Sequence, residues 1–196
     1  MKSLWDNSTA KEFASDPLKM RVYSSRLLGK ESSLVLHGGG NTSVKTEVLN
    51  KFGENEEILY VKGSGWDLSS IETKGFAPVQ MKRLLQMATF ETLSDTDMVL
   101  LQRSAMTDPY APNPSVEAIL HAIIPFRFVD HTHADAVVSI TNSPNGQELI
   151  EKLYGNSVFI IPYIMPGFVL AKKIHDLTKN LDWDKIEGIV LLNHGV

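Results

Sequence analysis

The strongest constraint on the fold of this chain is the alternation of short apolar runs with helical patterns. Leu34-Val35-Leu36, Val44 to Val48, Ile58 to Val61, Phe128-Val129, Val158 to Pro162 and Ile186 to Leu192 have the length and composition of strands. Between them, residues 16–29 place Leu18, Val22, Tyr23, Leu27 and Leu28 roughly on one side of a helix. Residues 147–154 and 168–178 read as further helices. Residues 114–124 are predicted as a helix with Asn113 as N-cap, Pro114 at its first position and Pro125 past its end. Its expected core stripe is Val116, Ile119, Leu120 and Ile123. Residues 73–87 are expected to carry short helical pieces broken at Gly75 and Pro78, and residues 135–141 fit either helix or strand. Residues 50–57 and 142–146 are polar turns. The sum is an α/β sandwich whose connections, mixed in length, do not require an all-parallel sheet.

A chain of 196 residues forms one domain with room for a substantial core, and its content of 43% hydrophobic and 21% charged residues is that of a globular protein. The net charge of −4 and the lack of a basic cluster argue against a nucleic-acid partner. No apolar run is long enough to span a bilayer, and the opening residues carry no signal-peptide core, so no membrane partner and a cytoplasmic location are expected. With no cysteine, disulfides and thiolate metal sites are excluded. The last predicted strand runs into His194, two residues before Val196, which suggests a domain truncated at its C-terminal end.

Against that background His131-Thr132-His133 stands out. If the run that precedes it is a strand, side chains at i and i+2 share a face and both rings reach one metal ion. Glu117 upstream and His194, in Leu191-Leu192-Asn193-His194-Gly195, complete a set of three imidazoles and a carboxylate. Three imidazoles with one coordination position left open is the layout of a catalytic zinc site, although a strand surface that merely carries two histidines is the plainer reading of the pair alone. Gly38-Gly39-Gly40-Asn41-Thr42-Ser43 is either a plain turn or an anion-binding nest with side-chain donors. It fits neither a Walker A loop nor a lipase-type hydrolase, since no GxxxxGK[ST] and no GxSxG is present. Lys62-Gly63-Ser64-Gly65-Trp66 is a second small-residue turn, and Asn113-Pro114-Ser115-Val116-Glu117 is expected to open a helix whose N-terminus attracts anions. Glu117 is placed to move a proton beside a metal, or simply complements the helix dipole. His121 and His175 read as structural or surface residues.

The segments GGGNTS, KGSG, PSVEAILHA, DHTHADAV and LLNHGV, in that order over residues 20–196, resemble the class II aldolase/adducin family. The resemblance is strongest to the aldolase half of bifunctional rhamnulose-1-phosphate aldolase/alcohol dehydrogenases. It implies a three-layer α/β/α sandwich with a central mixed or mainly antiparallel sheet. It implies zinc on His131, His133 and His194, with Glu117 as acid/base. Gly40, Asn41, Ser64, Gly65 and Ser115 match the family's phosphate-binding positions, and Tyr163 looks like the tyrosine that reaches the site across a subunit interface. The implied reaction is reversible aldol cleavage of a ketose 1-phosphate to dihydroxyacetone phosphate and a small aldehyde such as lactaldehyde. A sugar-phosphate 4-epimerase, a dehydratase and a non-catalytic adducin-like assembly domain share the fold. The family also implies a homo-oligomer, a tetramer by analogy, and a chain fused to or working with a dehydrogenase domain.

Overall fold

The computed structural model describes residues 2–196. In chain order the elements are α1 (Asn7–Glu12), α2 (Pro17–Gly29), β1 (Asn41–Leu49), β2 (Asn55–Lys62), β3 (Phe76–Gln80), α3 (Met81–Ala88), α4 (Asp95–Ser104), α5 (Ala118–Ile123), β4 (Phe128–His131), α6 (Asp135–Thr141), α7 (Gly146–Tyr154), β5 (Val158–Ile161), α8 (Phe168–Thr178) and β6 (Gly188–Leu191). Four strands form an antiparallel sheet in the order β3-β2-β1-β4, and β5 pairs with β6 in parallel. This is the mixed, mainly antiparallel arrangement expected.

The sheet is buried on both faces by the period-two alternation of its strands. Leu59, Val61, Ala77 and Val79 join Leu84, Met87, Met98, Ile119 and Phe168 in one core beneath α3, α4, α5 and α8. Tyr60 and Phe76 join Leu18, Val22, Leu68 and Ile71 beneath α2. Helices therefore lie on both sides of the sheet, in three layers. α2 starts where the sequence predicts: the Asp16 carboxylate accepts from the N–H groups of Leu18 and Lys19, and Pro17 opens the first turn. Arg21, 1% exposed, ties α2 to the site strand through an ion pair of 2.6 Å with Asp130. On the same helix Ser25 shares a 2.8 Å hydrogen bond with Thr42 of β1.

Three expectations are corrected and one helix is added. Residues 34–36 are irregular rather than a strand, because their carbonyls serve other partners: Leu34 accepts from His133 N–H and Leu36 from Gly39 N–H. Residues 73–87 hold one 3-10 turn (Thr73–Gly75), then β3, then α3. Pro78 is tolerated because β3 is an edge strand. The helix predicted over residues 114–124 begins only at Ala118. The residues before it are drawn out of the helix by pairing: Pro114 bridges Gly63, Ser64 N–H donates to Asn113 O, and Ser115 N–H donates to Lys62 O. Val116, expected in the core, is consequently 42% exposed. α4 was not anticipated, although Ser94 caps it by accepting from Asp97 N–H, with Asp95 and Asp97 in its first turn.

Candidate metal centre and active site

The site assembles at one end of β1 and β4, where Asn41 pairs with His131 in the register of the two strands. His131 is the last residue of β4 and His133 lies beyond it, so the two histidines are not both on the strand as predicted. The alignment survives because the backbone is held past the strand's end. Thr132 exchanges hydrogen bonds of 2.8 and 3.0 Å with Val196, and His133 N–H donates to Leu34 O. His194 arrives on a tight turn after β6, in which Asn193 has a φ of 59° and Leu191 and Gly195 pair. Gly195 is required there: a Cβ would sit 3.0 Å from both His131 Cε1 and His133 Cδ2.

One ring nitrogen from each of His131, His133 and His194 lies within 4.8 Å of the other two, the one group of three with metal-ligand spacing among the described residues. His131 and His133 present Nε2 atoms to each other at 3.0 Å. His131 Nδ1 lies 3.0 Å from the Val196 carbonyl, which can only accept, so Nδ1 carries the proton and Nε2 of the neutral ring keeps its lone pair. The buried Nδ1 of His194 has no hydrogen-bond partner among the described residues. Burial, with His131 and His133 adding to it and Glu117 opposing, pushes His194 down to about 4. His133 is also lowered, by burial first and by His131 second. Both shifts favour the neutral form of these two rings, which is the state that binds metal, and a set of three imidazole ligands suits a borderline cation such as zinc.

Glu117 closes the cluster. Its Oε1 is 3.6 Å from His131 Nε2 and 3.7 Å from His194 Nε2, and its Oε2 accepts from Asn41 Nδ2 at 3.3 Å. Burial raises this carboxyl, but the imidazoles of His131, His121 and His194 and the Asn41 amide outweigh burial and leave it below the usual carboxylate value. Ser115 accepts from Asn41 Nδ2 at 2.7 Å and from Glu117 N–H at 3.2 Å, leaving its own proton free to donate. The predicted helix N-terminus at Ser115 is absent, since α5 starts after Glu117 and has no side-chain cap.

The other predicted anion contacts surround this network. Gly40, with a φ of 66°, leads into Asn41, and a Cβ on it would collide with Val35 and lie 2.9 Å from the His131 carbonyl. Ser64 Oγ lies 3.4 Å from Pro114 O, and the following Gly65 has a φ of 84° with open space around it. The bridge between Gly63 and Pro114 thus brings the second glycine turn against Ser115. Tyr163 stands apart: it is 52% exposed and its hydroxyl reaches Met165 Sδ at 3.8 Å.

Two residues named in the sequence without a role at the site lie against it. Lys62 is buried at the end of β2, donates to Gly38 O at 2.8 Å, and has its amine lowered by burial while Glu117 and Asp67 pull it back up. The signal was a lysine closing the apolar run Ile58 to Val61. His121, one turn after Glu117, is fully buried against Ser43 Oγ at 2.8 Å and is pushed by burial to about 3. It supports the strand that carries Asn41, in line with its structural reading.

Comparisons with known proteins bear on the fold and the family. The chain is 36% identical over its whole length to a Bacillus subtilis protein named as an uncharacterized oxidoreductase, YuxG, and spans 28% of that protein's length. It is similar to the N-terminal class II aldolase domain of a conserved protein from Thermoplasma acidophilum, with 42% identity and a TM-score of 0.88 over all of this chain and 87% of that one. An L-fuculose 1-phosphate aldolase shares the fold at 16% identity and a TM-score of 0.55, over 93% of this chain and 74% of that one. The profile of the Class II Aldolase and Adducin N-terminal domain matches residues 21–196, and the chain belongs to that family.

Proposed function

We propose that this domain catalyses reversible aldol cleavage of a ketose 1-phosphate of the rhamnulose or fuculose type, yielding dihydroxyacetone phosphate and a small aldehyde. The observation that carries the reading is the Glu117 carboxylate set 3.6 and 3.7 Å from two of three converging imidazoles. His131, His133 and His194 would hold the cation, zinc by the chemistry of the donors. A cation bound there supplies Lewis acidity to the carbonyl of a ketose.

The remaining work falls to the chain. Glu117, held ionised by its neighbours, moves the proton at the nucleophilic carbon of the dihydroxyacetone phosphate half. Asn41 fixes the direction of that carboxylate by donating to its second oxygen. Ser115, Ser64 and the backbone around Gly40 and Gly65 hold the 1-phosphate, so that binding energy is converted into orientation. Tyr163 is exposed, which supports a role on a neighbouring protomer, where it would serve the leaving aldehyde oxygen in a homo-oligomer. The length of the Bacillus relative, and its name, support a domain that works beside or within an oxidoreductase.

Release of dihydroxyacetone phosphate from ketose 1-phosphates, by zinc-loaded protein and by Glu117→Gln, tests the reading. The variant is expected to keep its zinc and lose activity by roughly 10²–10⁴-fold, the usual contribution of a positioned acid/base. Undiminished cleavage in a fully metallated variant refutes the role of Glu117. Epimerised substrate without free aldehyde makes the protein an epimerase instead.

A further inference from the structure

His131 and His133 come from the end of β4 and His194 from the turn after β6, so the three rings converge only if these two pieces of chain share one frame. The turn is tight. His194 N–H donates to Leu191 O at 3.1 Å, which closes a four-residue turn and puts Asn193 at its third position. The φ of 59° there is one that asparagine, after glycine, adopts most readily. Glycine would satisfy that backbone as well, so the backbone alone does not account for the asparagine side chain.

That side chain reaches α6. Asn193 Nδ2 donates to the Thr141 carbonyl at 3.2 Å and to Asn142 Oδ1 at 2.9 Å. Thr141 is the last residue of α6, where a helix carbonyl has no donor of its own, and a carbonyl can only accept, which fixes the amide's orientation. α6 begins at Asp135, directly after Ala134 and His133. Its start is anchored too: Asp135 N–H donates to Ser33 O at 2.8 Å and His133 N–H to Leu34 O at 3.1 Å. A continuous path therefore runs from His133 through one short helix to Asn193 and into His194.

A metal-binding imidazole is ordinarily oriented through its second ring nitrogen. His131 has such a bond, with Nδ1 3.0 Å from the Val196 carbonyl, whereas the buried Nδ1 of His194 has no partner among the described residues. We infer that Asn193 is a positioning residue for the metal centre: by locking the turn to the C-terminal end of α6, it sets where the ring of His194 stands relative to His131 and His133. The role rests on the proposed metal site. Leu191 and Gly195 pair through their backbones, so loss of the Asn193 side-chain bonds loosens His194 without opening the hairpin.

The test is zinc affinity, read by competition with a chelating dye, in the unaltered chain, Asn193→Gly, Asn142→Ala and the double variant. Asn193→Gly keeps the left-handed backbone and removes both side-chain bonds. It is expected to weaken zinc binding by roughly 10–100-fold, the usual loss when a group supporting a metal ligand is removed. Asn142→Ala leaves the turn untouched and should weaken binding less, since the Thr141 carbonyl remains. The double variant should bind as Asn193→Gly does, because both substitutions break the same link. With cobalt in place of zinc, visible absorption reads the ligand geometry, and Asn193→Gly is expected to alter it at saturating metal. An unchanged cobalt spectrum with weaker binding assigns the loss to general stability and overturns the positioning role. Losses that simply add in the double variant overturn the link through Asn142. An unaltered chain that binds no zinc overturns the metal centre and this role with it, whereas tight binding that Asn193→Gly leaves intact overturns the role alone.

Discussion

Gly40→Ala is the substitution whose cost the structure defines best. At a φ of 66° an alanine sits in the left-handed region, which costs about 1–2 kcal/mol. Its Cβ would also collide with Val35 and approach the His131 carbonyl to 2.9 Å, and that carbonyl belongs to a strand that cannot yield freely. Overpacking of this kind adds about 1–3 kcal/mol, for a total of about 2–5 kcal/mol. For a chain of this size each kcal/mol moves the melting midpoint by about 2–4 °C, so a fall of roughly 4–20 °C is expected. Gly65→Ala is the control: it has a φ of 84° but nothing within 4 Å, so only the backbone term applies, about 1–2 kcal/mol. Thermal unfolding followed by circular dichroism on both variants isolates the collision as their difference. If Gly40→Ala is no less stable than Gly65→Ala, the argument that the glycine run lets β1 approach the His131 backbone is wrong.

His131→Ala is expected to reduce bound zinc from near one per chain to near zero, read by elemental mass spectrometry after purification without added metal. Metal-free protein should lose stability on acidification. The unfolded histidines take up protons near 6.5, whereas His194 resists to about 4 and His121 to about 3, so stability is complete above about 6.5 and falls through that window. His121→Asn, which keeps a partner for Ser43, should flatten this acid slope in urea titrations run across pH. Lys45 donates to the carbonyls of Ile124 and Phe126 just after the helix that follows Glu117, and burial lowers its amine to about 8. Lys45→Met should cost about 2 kcal/mol by leaving those carbonyls short of a donor, measurable as a shift in urea midpoint.

The sequence carried the clustering of residues more clearly than the element boundaries. His131, His133, His194 and Glu117 were singled out by the company the pair keeps, since the pair alone reads as plainly as a strand surface, and the fold brings all four together. What could not be read was long-range pairing. Residues 114–117 carry every local mark of a helix start, yet Lys62, Gly63 and Ser64 claim their backbone, and that demand comes from fifty positions upstream. The same pairing moved Ser115 from a helix terminus to a hydrogen bond with Asn41, a more specific arrangement than the one expected. Pro78 and Gly75 concealed β3 because a proline demotes a strand unless it lies on an edge, and edges belong to the assembled sheet. α4, by contrast, was announced by Ser94 and two aspartates, a cap that local reading alone could have found.

The pairing of Asn41 with His131 has a consequence for how the protein comes into being. β1 waits for β4 across the whole middle of the chain, and His194 comes later still. A ribosome that has released β1, β2 and β3 has exposed a partial sheet with an open flank and only part of the ligand set. Closing contacts of such sequence separation is slow, and the exposed flank in that interval is prone to associate with other chains. The histidine cluster is therefore among the last features to form, and a metal taken up there would report the finished fold rather than guide it.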